Sequence, residues 1–204
     1  LGHWEVPKTA WGREIEEPSG VKAASFAERM EQGIGKNSTG LLIGSFAFEW
    51  GQKQERTPTW YGVFNKDGAA NARVDELTKF WTGKYPKNRA PLAMAITIDK
   101  AVATESLYLK PKQIVTVEVE VIDPEQDELT FNWVLLKEVA VRSQGGAFEQ
   151  EPEQMKITPL NTSSDSEGKL VFQLPERQGD YRIFSYAYDK KGKVANANFP
   201  FFIK

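Results

Sequence analysis

Hydrophobic positions change their spacing partway along the chain. Val21, Ala24, Ala27 and Met30 fall every third residue, with Phe26 and Ile34 beside them, which predicts an amphipathic helix over 20–33. Ser19 is placed to cap its start, and Gly33 and Gly35 to end it. Val74, Leu77 and Trp81 sit at i, i+3 and i+7 and predict a second helix over 70–82, in which Asp75 and Lys79 are spaced to pair. Between the two, residues 40–50 (GLLIGSFAFEW) are apolar at odd and even positions alike, the pattern of a strand buried on both faces in a parallel sheet. A polar loop (51–58), a short apolar piece (59–64) and a turn (65–68) follow. Residues 1–18 hold Gly2, Pro7, Gly12 and Pro18 without periodicity and read as an extended loop. Helix, buried strand, loop and helix in that order is the grammar of α/β structure.

From about residue 90 the period drops to two. The stretch 83–92 (GKYPKNRAPL) has linker composition, with two prolines, a glycine and three basic residues. After it Val115, Val117, Val119 and Val121 alternate with Thr116, Glu118, Glu120 and Ile122. Residues 129–137, 169–174, 180–188 and 194–203 are further predicted strands, separated by the turn sequences DPEQDE, SDSEGK, PERQGD and DKKGK. Short strands at such spacing predict an antiparallel β-sandwich. No helical period is present after residue 90, and 138–168 reads as a long polar loop or a weakly marked hairpin. The expectation is an α+β protein with units at 1–89 and 90–204.

Composition narrows the chemistry. The 204 residues carry a net charge of only −2, without the basic stripe of a general nucleic-acid binder. There is no Cys, which excludes disulfides, thiolate metal sites and cysteine nucleophiles. His3 is the single histidine, which excludes multi-histidine metal centres. No apolar run approaches the ~20 residues of a membrane helix. The sequence starts at Leu1 with no charged-then-apolar leader, so the expectation is a mature, processed or excised chain. Five of the six tryptophans (Trp4, Trp11, Trp50, Trp60, Trp81 and Trp133) lie within the first 81 residues, which suggests two regions with different roles.

Two resemblances attach to these regions. IDPEQDELTFNW (122–133) matches an acidic-Pro-acidic turn followed by L-T-aromatic-x-W, and GDYRIFSYAYDKKGKVANANFPF (179–201) looks like a closing hairpin. Both resemble immunoglobulin-like and PKD-like modules, in which Trp133 would pack between sheets and Tyr181 would form a tyrosine corner. LGHWEVPKTAWG (1–12), the helix at 20–33, FAFEWGQKQERTPTWYGVF (46–64) and YPKNRAP (85–91) together resemble the C-terminal end of a family-2-like, clan A retaining glycoside hydrolase. The relatives in view are exported proteins of Bacteroidetes-type bacteria in which a (β/α)₈ barrel precedes an immunoglobulin-like domain.

That resemblance implies a fold and a site. Residues 40–50 would be the eighth barrel strand and 70–82 the eighth helix. Barrel active sites lie at the C-terminal ends of strands, so Trp50 would floor a sugar subsite, its indole face against the apolar face of a pyranose. Gln52, Lys53, Gln54, Glu55 and Arg56 would lie in the loop beside it. His3 and Trp4 would approach from the loop after the seventh strand. Retaining hydrolysis needs two carboxylates about 5–5.5 Å apart, contributed in this clan by the fourth and seventh strands. Those strands have no counterpart here, and Glu5 lies downstream of the nucleophile's place. The chain would therefore supply about a quarter to a third of a ~250-residue barrel, be inactive alone, carry no cofactor, bind carbohydrate together with the missing barrel part, and be exported. The exposed barrel fragment would also favour self-association.

Other readings compete. Trp11, Trp60 and Trp81 are expected to pack, and Trp133 to be core. Glu49, within the apolar strand, needs a partner such as Lys53 or Arg56; a catalytic Glu49 is the lesser alternative. Asp123, Glu125, Asp127 and Asp189 could form an oxygen-rich calcium site at one end of the sandwich, although acidic turns usually face water. SSDSEG (163–168) reads as a turn, and Gly33-x-Gly35 lacks the third glycine of a phosphate loop. Against the hydrolase fragment stand a non-enzymatic exported module that binds carbohydrate or protein, and a spacer that positions a barrel near a cell surface.

Overall fold

The computed structural model describes residues 6–36, 40–140, 148–160 and 167–204. Among the described residues every strand lies between Leu92 and Ile203: β1 (Leu92–Ile98), β2 (Tyr108–Leu109), β3 (Ile114–Ile122), β4 (Thr130–Lys137), β5 (Glu153–Met155), β6 (Lys169–Gln173), β7 (Gly179–Tyr188) and β8 (Val194–Ile203). One sheet has the order β1-β3-β6 and the other β2-β8-β7-β4-β5. All pairs are antiparallel except the short β2–β8 pair. β7 and β8 keep an unbroken register from Gly179↔Ile203 to Tyr188↔Val194, and the Asp189 carboxylate accepts the N–H groups of Lys191 and Lys193 in the turn between them.

Alternation places Val115 and Val117 of β3, Phe131 and Leu135 of β4, Leu170 and Phe172 of β6, Tyr181 and Ile183 of β7, and Phe199, Phe201 and Ile203 of β8 in one core shared by both sheets. Each such side chain, fully buried, contributes about 1.5–3 kcal/mol. The protein is thus mixed α+β, its β part built from two mainly antiparallel sheets.

An antiparallel sheet commonly presents its second face to water. Here the outward residues of β7 and β8 are buried as well: Arg182, Phe184, Val194, Asn196, Asn198 and Pro200. The N-terminal half lies over them. It also closes the edge of β8, because Val194 N–H donates to Ala70 O (3.0 Å) and Asn196 N–H to Ser19 Oγ (3.0 Å). Pro200, two pairs further on, has no N–H to leave unpaired.

The N-terminal half holds α1 (Ser19–Met30), which passes into a π-helical turn (Glu31–Gly35), and α2 (Ala72–Thr82). Pro18, not Ser19, stands at the N-cap of α1, and the Ser19 hydroxyl serves β8 instead of its own helix. α2 starts at Asn71, whose side chain accepts from Arg73 N–H, and stops at Gly83 with φ +79°, a left-handed conformation that glycine reaches without a Cβ clash. Asp75 and Lys79 do not pair. Asp75 faces inward and accepts from Ala90 N–H and the Lys193 ammonium, while Lys79 reaches the Tyr85 hydroxyl at 3.2 Å. The helices meet through Ala23, Ala72 and Ala90. α1 approaches β1 so closely that a Cβ on Gly20 would lie 2.7 Å from Ala93 O.

Three further expectations need correction. Residues 40–50 form no strand, and their apolar side chains face solvent: Leu41 is 87% exposed, and Ile43 and Phe46 fully so. A strand buried on both faces needs a neighbour at each edge and a covering layer, and no described strand reaches this segment. Trp81 is 58% exposed, because the inward residues of α2 are Ala72, Arg73, Asp75 and Leu77 and the contact ends a turn earlier. The linker-like stretch is ordered, with Asn88 and Ala90 hydrogen-bonded to Asp189 and Asp75, and its last residue, Leu92, opens β1. β2 and β5 also went unforeseen, β5 lying inside the irregular 138–168 stretch and pairing Met155 with Leu135.

Candidate functional site

The junction between the N-terminal half and the outward face of the second sheet concentrates the buried polar groups. Glu16 accepts from Thr57 Oγ1 (2.5 Å), Thr59 Oγ1 (2.8 Å) and Asn198 Nδ2 (2.6 Å), and pairs with the Lys22 ammonium. Lys22 also donates to Thr59 O (2.9 Å) and lies 5.9 Å from the Trp60 ring centroid. Burial pushes the Glu16 carboxyl upward, but the Lys22 charge and the hydrogen bonds from Lys22, Thr57 and Thr59 outweigh it and hold the pKa below 4.5. Burial pulls Lys22 below its ordinary 10.5 despite Glu16, and pulls Arg73 to about 10. Arg182 makes a second knot. It donates from Nε to Glu138 (2.6 Å), from Nη1 to Asn198 Oδ1 (2.7 Å) and from Nη2 to Glu14 O (2.9 Å). Both knots are fully bonded, as buried charges require.

The loop after residue 50 sits beside this junction. Trp50 is 59% exposed and meets Phe64 edge-to-face at 5.2 Å. Gln52 Nε2 donates to Pro58 O at 3.3 Å. Lys53 bonds Glu55 at 2.7 Å, which raises the lysine pKa. Glu49 is only partly buried, and its charge also acts on Lys53. Gln54 Nε2 and Arg56 N–H donate to the buried Glu149 at 3.0 and 3.2 Å, and the Arg56 guanidinium lies 4.9 Å from the Trp60 centroid. His3, Trp4 and Glu5 lie outside the described residues, as do positions 163–166 of the SSDSEG turn. The structure thus brings Trp50, Gln52, Lys53 and Glu55 onto one short loop. Trp60 is buried, Trp11 packs edge-on to Tyr108 and Phe202, and Trp133 packs against the core.

The acidic residues at the far turn serve the chain itself. Asp123 accepts from Glu125 N–H and Asp127 N–H, and Glu125 accepts from Arg89 N–H. Asp127 pairs with Lys191 at 3.1 Å, and Asp189 accepts from Asn88 at 2.7 Å. Among the described residues no group of three or more His, Asp or Glu side chains is placed to hold a metal ion. No described helix is long and apolar enough to cross a membrane.

Among the described residues two concavities stand out. The larger, about 560 Å³, is bordered by Ala140 and Phe148, at either end of the undescribed stretch 141–147. The smaller, about 200 Å³, opens where Gln52, Asn65 and Asp67 of the N-terminal half meet Asn132 of β4 and Tyr186 and Tyr188 of β7. Asn65, Asp67, Asn132, Tyr186 and Tyr188 were not singled out by the sequence, because 65–68 reads as a plain turn and the outward strand positions read as solvated. One signal was present: these outward positions carry Asn and Tyr where Lys and Glu would be ordinary on a wet face.

No protein-family model and no curated protein matches the chain. Among solved structures, the soluble domain of PmoD from Methylocystis sp. (Rockwell) is similar over 59% of this chain and 95% of that one, at 13% identity and a TM-score of 0.30, a likeness too slight to carry an argument about fold or function.

Proposed function

We propose that the chain is the C-terminal portion of a glycoside hydrolase-like protein, exported by a bacterium and catalytically incomplete alone. In this reading residues 1–89 are the end of a (β/α)₈ barrel carrying part of a sugar-binding face, and residues 90–204 are an immunoglobulin-like accessory domain. The observation that carries it is segment 40–50: a strand-length, mostly apolar stretch that lies largely exposed and ends at a half-exposed tryptophan. Such a stretch fits a place between two further strands, with Trp50 at the rim of a sugar subsite beside Gln52, Lys53 and Glu55. The accessory-domain part draws support from the Tyr181 hydroxyl, which donates to Arg177 O, four residues upstream, at 2.7 Å. A tyrosine corner at the start of the corresponding strand has this form.

The test has two arms. Reading the frame upstream of Leu1 is expected to reveal barrel strands with one Glu at the end of the fourth and another at the end of the seventh. Joined to that region, the chain is expected to support glycoside hydrolysis, and Trp50→Ala to lower it. An upstream region without the two carboxylates removes the hydrolase reading and leaves the non-enzymatic binding module, for which the polar concavity on the second sheet is the supporting observation.

A further inference from the structure

The smaller concavity has features that the barrel reading does not use. Asn65 is 8% exposed and lines it, and its side-chain nitrogen forms no hydrogen bond among the described residues. That nitrogen lies close enough to the Tyr188 oxygen to oppose the rise in that phenol's pKa, but without an aligned bond. A buried amide donor left unbonded costs about 1–3 kcal/mol, which an incoming acceptor would recover. Across the opening the Tyr188 hydroxyl donates to Asp67 Oδ2 at 2.7 Å, and its oxygen faces the Asn65 amide. Gln52 donates through its nitrogen to Pro58 O, so its carbonyl oxygen is the group it can turn to a ligand. The Tyr186 ring stacks flat on Phe184, 6.1 Å between centroids, which fixes its plane.

The charges decide what class of molecule fits. Lys66, the cation at the rim, is held by both Glu151 oxygens at 2.7 and 2.9 Å, so nothing positive is left to draw an anion. Asp67 is the single carboxylate of the lining, too few oxygens for a divalent cation. What remains is an amide donor, an amide acceptor, one carboxylate and two aromatic rings. That set suits a neutral molecule whose groups both donate and accept and whose body is apolar. A cavity of about 200 Å³ is below the roughly 300–1,000 Å³ of pockets for drug-sized ligands and suits a single ring.

We infer that this concavity is a subsite for one pyranose unit, built across the junction and separate from the Trp50 face. Asn65, turned from the Tyr188 oxygen, donates to a ring hydroxyl or the ring oxygen, Asp67 accepts from a hydroxyl, and Tyr186 covers a C–H face. The inference shares a ligand class and one residue, Gln52, with the hydrolase reading but does not depend on it, since the other residues of the lining come from the junction.

The probes are methyl β-D-glucopyranoside, methyl β-D-galactopyranoside and methyl β-D-xylopyranoside, at millimolar concentrations and with the whole chain. The readouts are side-chain amide resonances of Asn65 and saturation transfer to the sugar. At least one glycoside is expected to shift the Asn65 amide. Asp67→Asn is expected to weaken binding about tenfold. Trp50→Ala is expected to leave the shift intact. No shift with any of the three glycosides overturns the inference, as does an equal response to inorganic phosphate. Binding lost in Trp50→Ala but kept in Asp67→Asn overturns it too, and returns the sugar to the barrel face.

Discussion

Asn198 Nδ2 donates to Glu16 Oε2 at 2.6 Å across 182 positions of sequence. One residue is on the outward face of the last strand, the other in the segment before α1. Through this bond the N-terminal half and the second sheet share one buried network with Lys22, Thr57 and Thr59. Removing one charge from a buried pair strands the other, at a cost of about 3–5 kcal/mol. Glu16→Ala is therefore expected to lower the free energy of unfolding in urea by about that amount. Lys22→Met should do the same, and the double variant Glu16→Leu with Lys22→Met should cost clearly less than the sum. Additive losses would show that the pair is not coupled.

The same carboxylate sets an acid limit. Glu16 titrates below 4.5 in the folded protein. A lowered folded-state pKa contributes stability that is present above the unfolded value and lost as pH falls through the folded one. Stability is expected to decline as pH drops below 4.5, and Glu16→Gln should flatten that decline while lowering stability at neutral pH. Urea midpoints across the acid range measure both.

An alkaline limit comes from Tyr188. Burial, and then the bond to Asp67, push its phenol from 10.0 to about 12. A raised folded-state pKa gives stability that is complete below the unfolded value and lost as pH rises to the folded one, so the loss is expected between pH 10 and about 12. Tyr188→Phe should make that slope shallower, with the slope remaining from Tyr186, whose phenol burial also raises.

The core of the sheets draws all its residues from between Ala93 and Ile203. Residues 90–204 are therefore expected to fold alone, with a cooperative transition at lower urea than the whole chain, since Arg182, Asn196 and Asn198 lose their cover. Tyr181→Phe in either chain, by removing the bond to Arg177 O, should cost about 0.5–1.5 kcal/mol. A fragment without a cooperative transition would show that the N-terminal half is needed to fold the sheets.

Segment 40–50 makes a different kind of prediction. Its side chains are exposed, so Ile43→Lys with Phe46→Lys is expected to change stability by no more than about 0.5 kcal/mol. If the segment seeks cover, the same pair should abolish any self-association of the chain seen by sedimentation velocity. A large loss of stability would mean that the segment packs within the chain.

How much could be read beforehand differs by element for physical reasons. β3 was legible because valines recur at every second position and only one face is buried. α2 was legible from its stripe and from Gly83, but the partner of Asp75 was not, since Ala90 and Lys193 arrive from elsewhere in the chain. The apolar run at 40–50 says what surroundings it suits, and it says nothing of whether they are supplied. Trp50 and Gln52 were singled out only through the hydrolase resemblance, which sets the loop from Gln52 beside the end of the expected strand. The concavity could not, because Gln52, Asn65, Asn132 and Tyr186 meet only after β7 is set against β4 and the N-terminal half is laid across both.

The closed edge of β8 carries a last consequence. Along that edge Val194 is bonded to Ala70, Asn196 to Ser19, Phe202 to Leu107 and Lys204 to Leu109, and Pro200 has no donor. An incoming strand from another molecule would find few amides on which to template itself. Any assembly this protein enters is thereby steered away from β8, which with β7 is one of the two longest strands described. A chain in which the N-terminal half has not docked therefore exposes the Val194 and Asn196 amides that a finished one conceals.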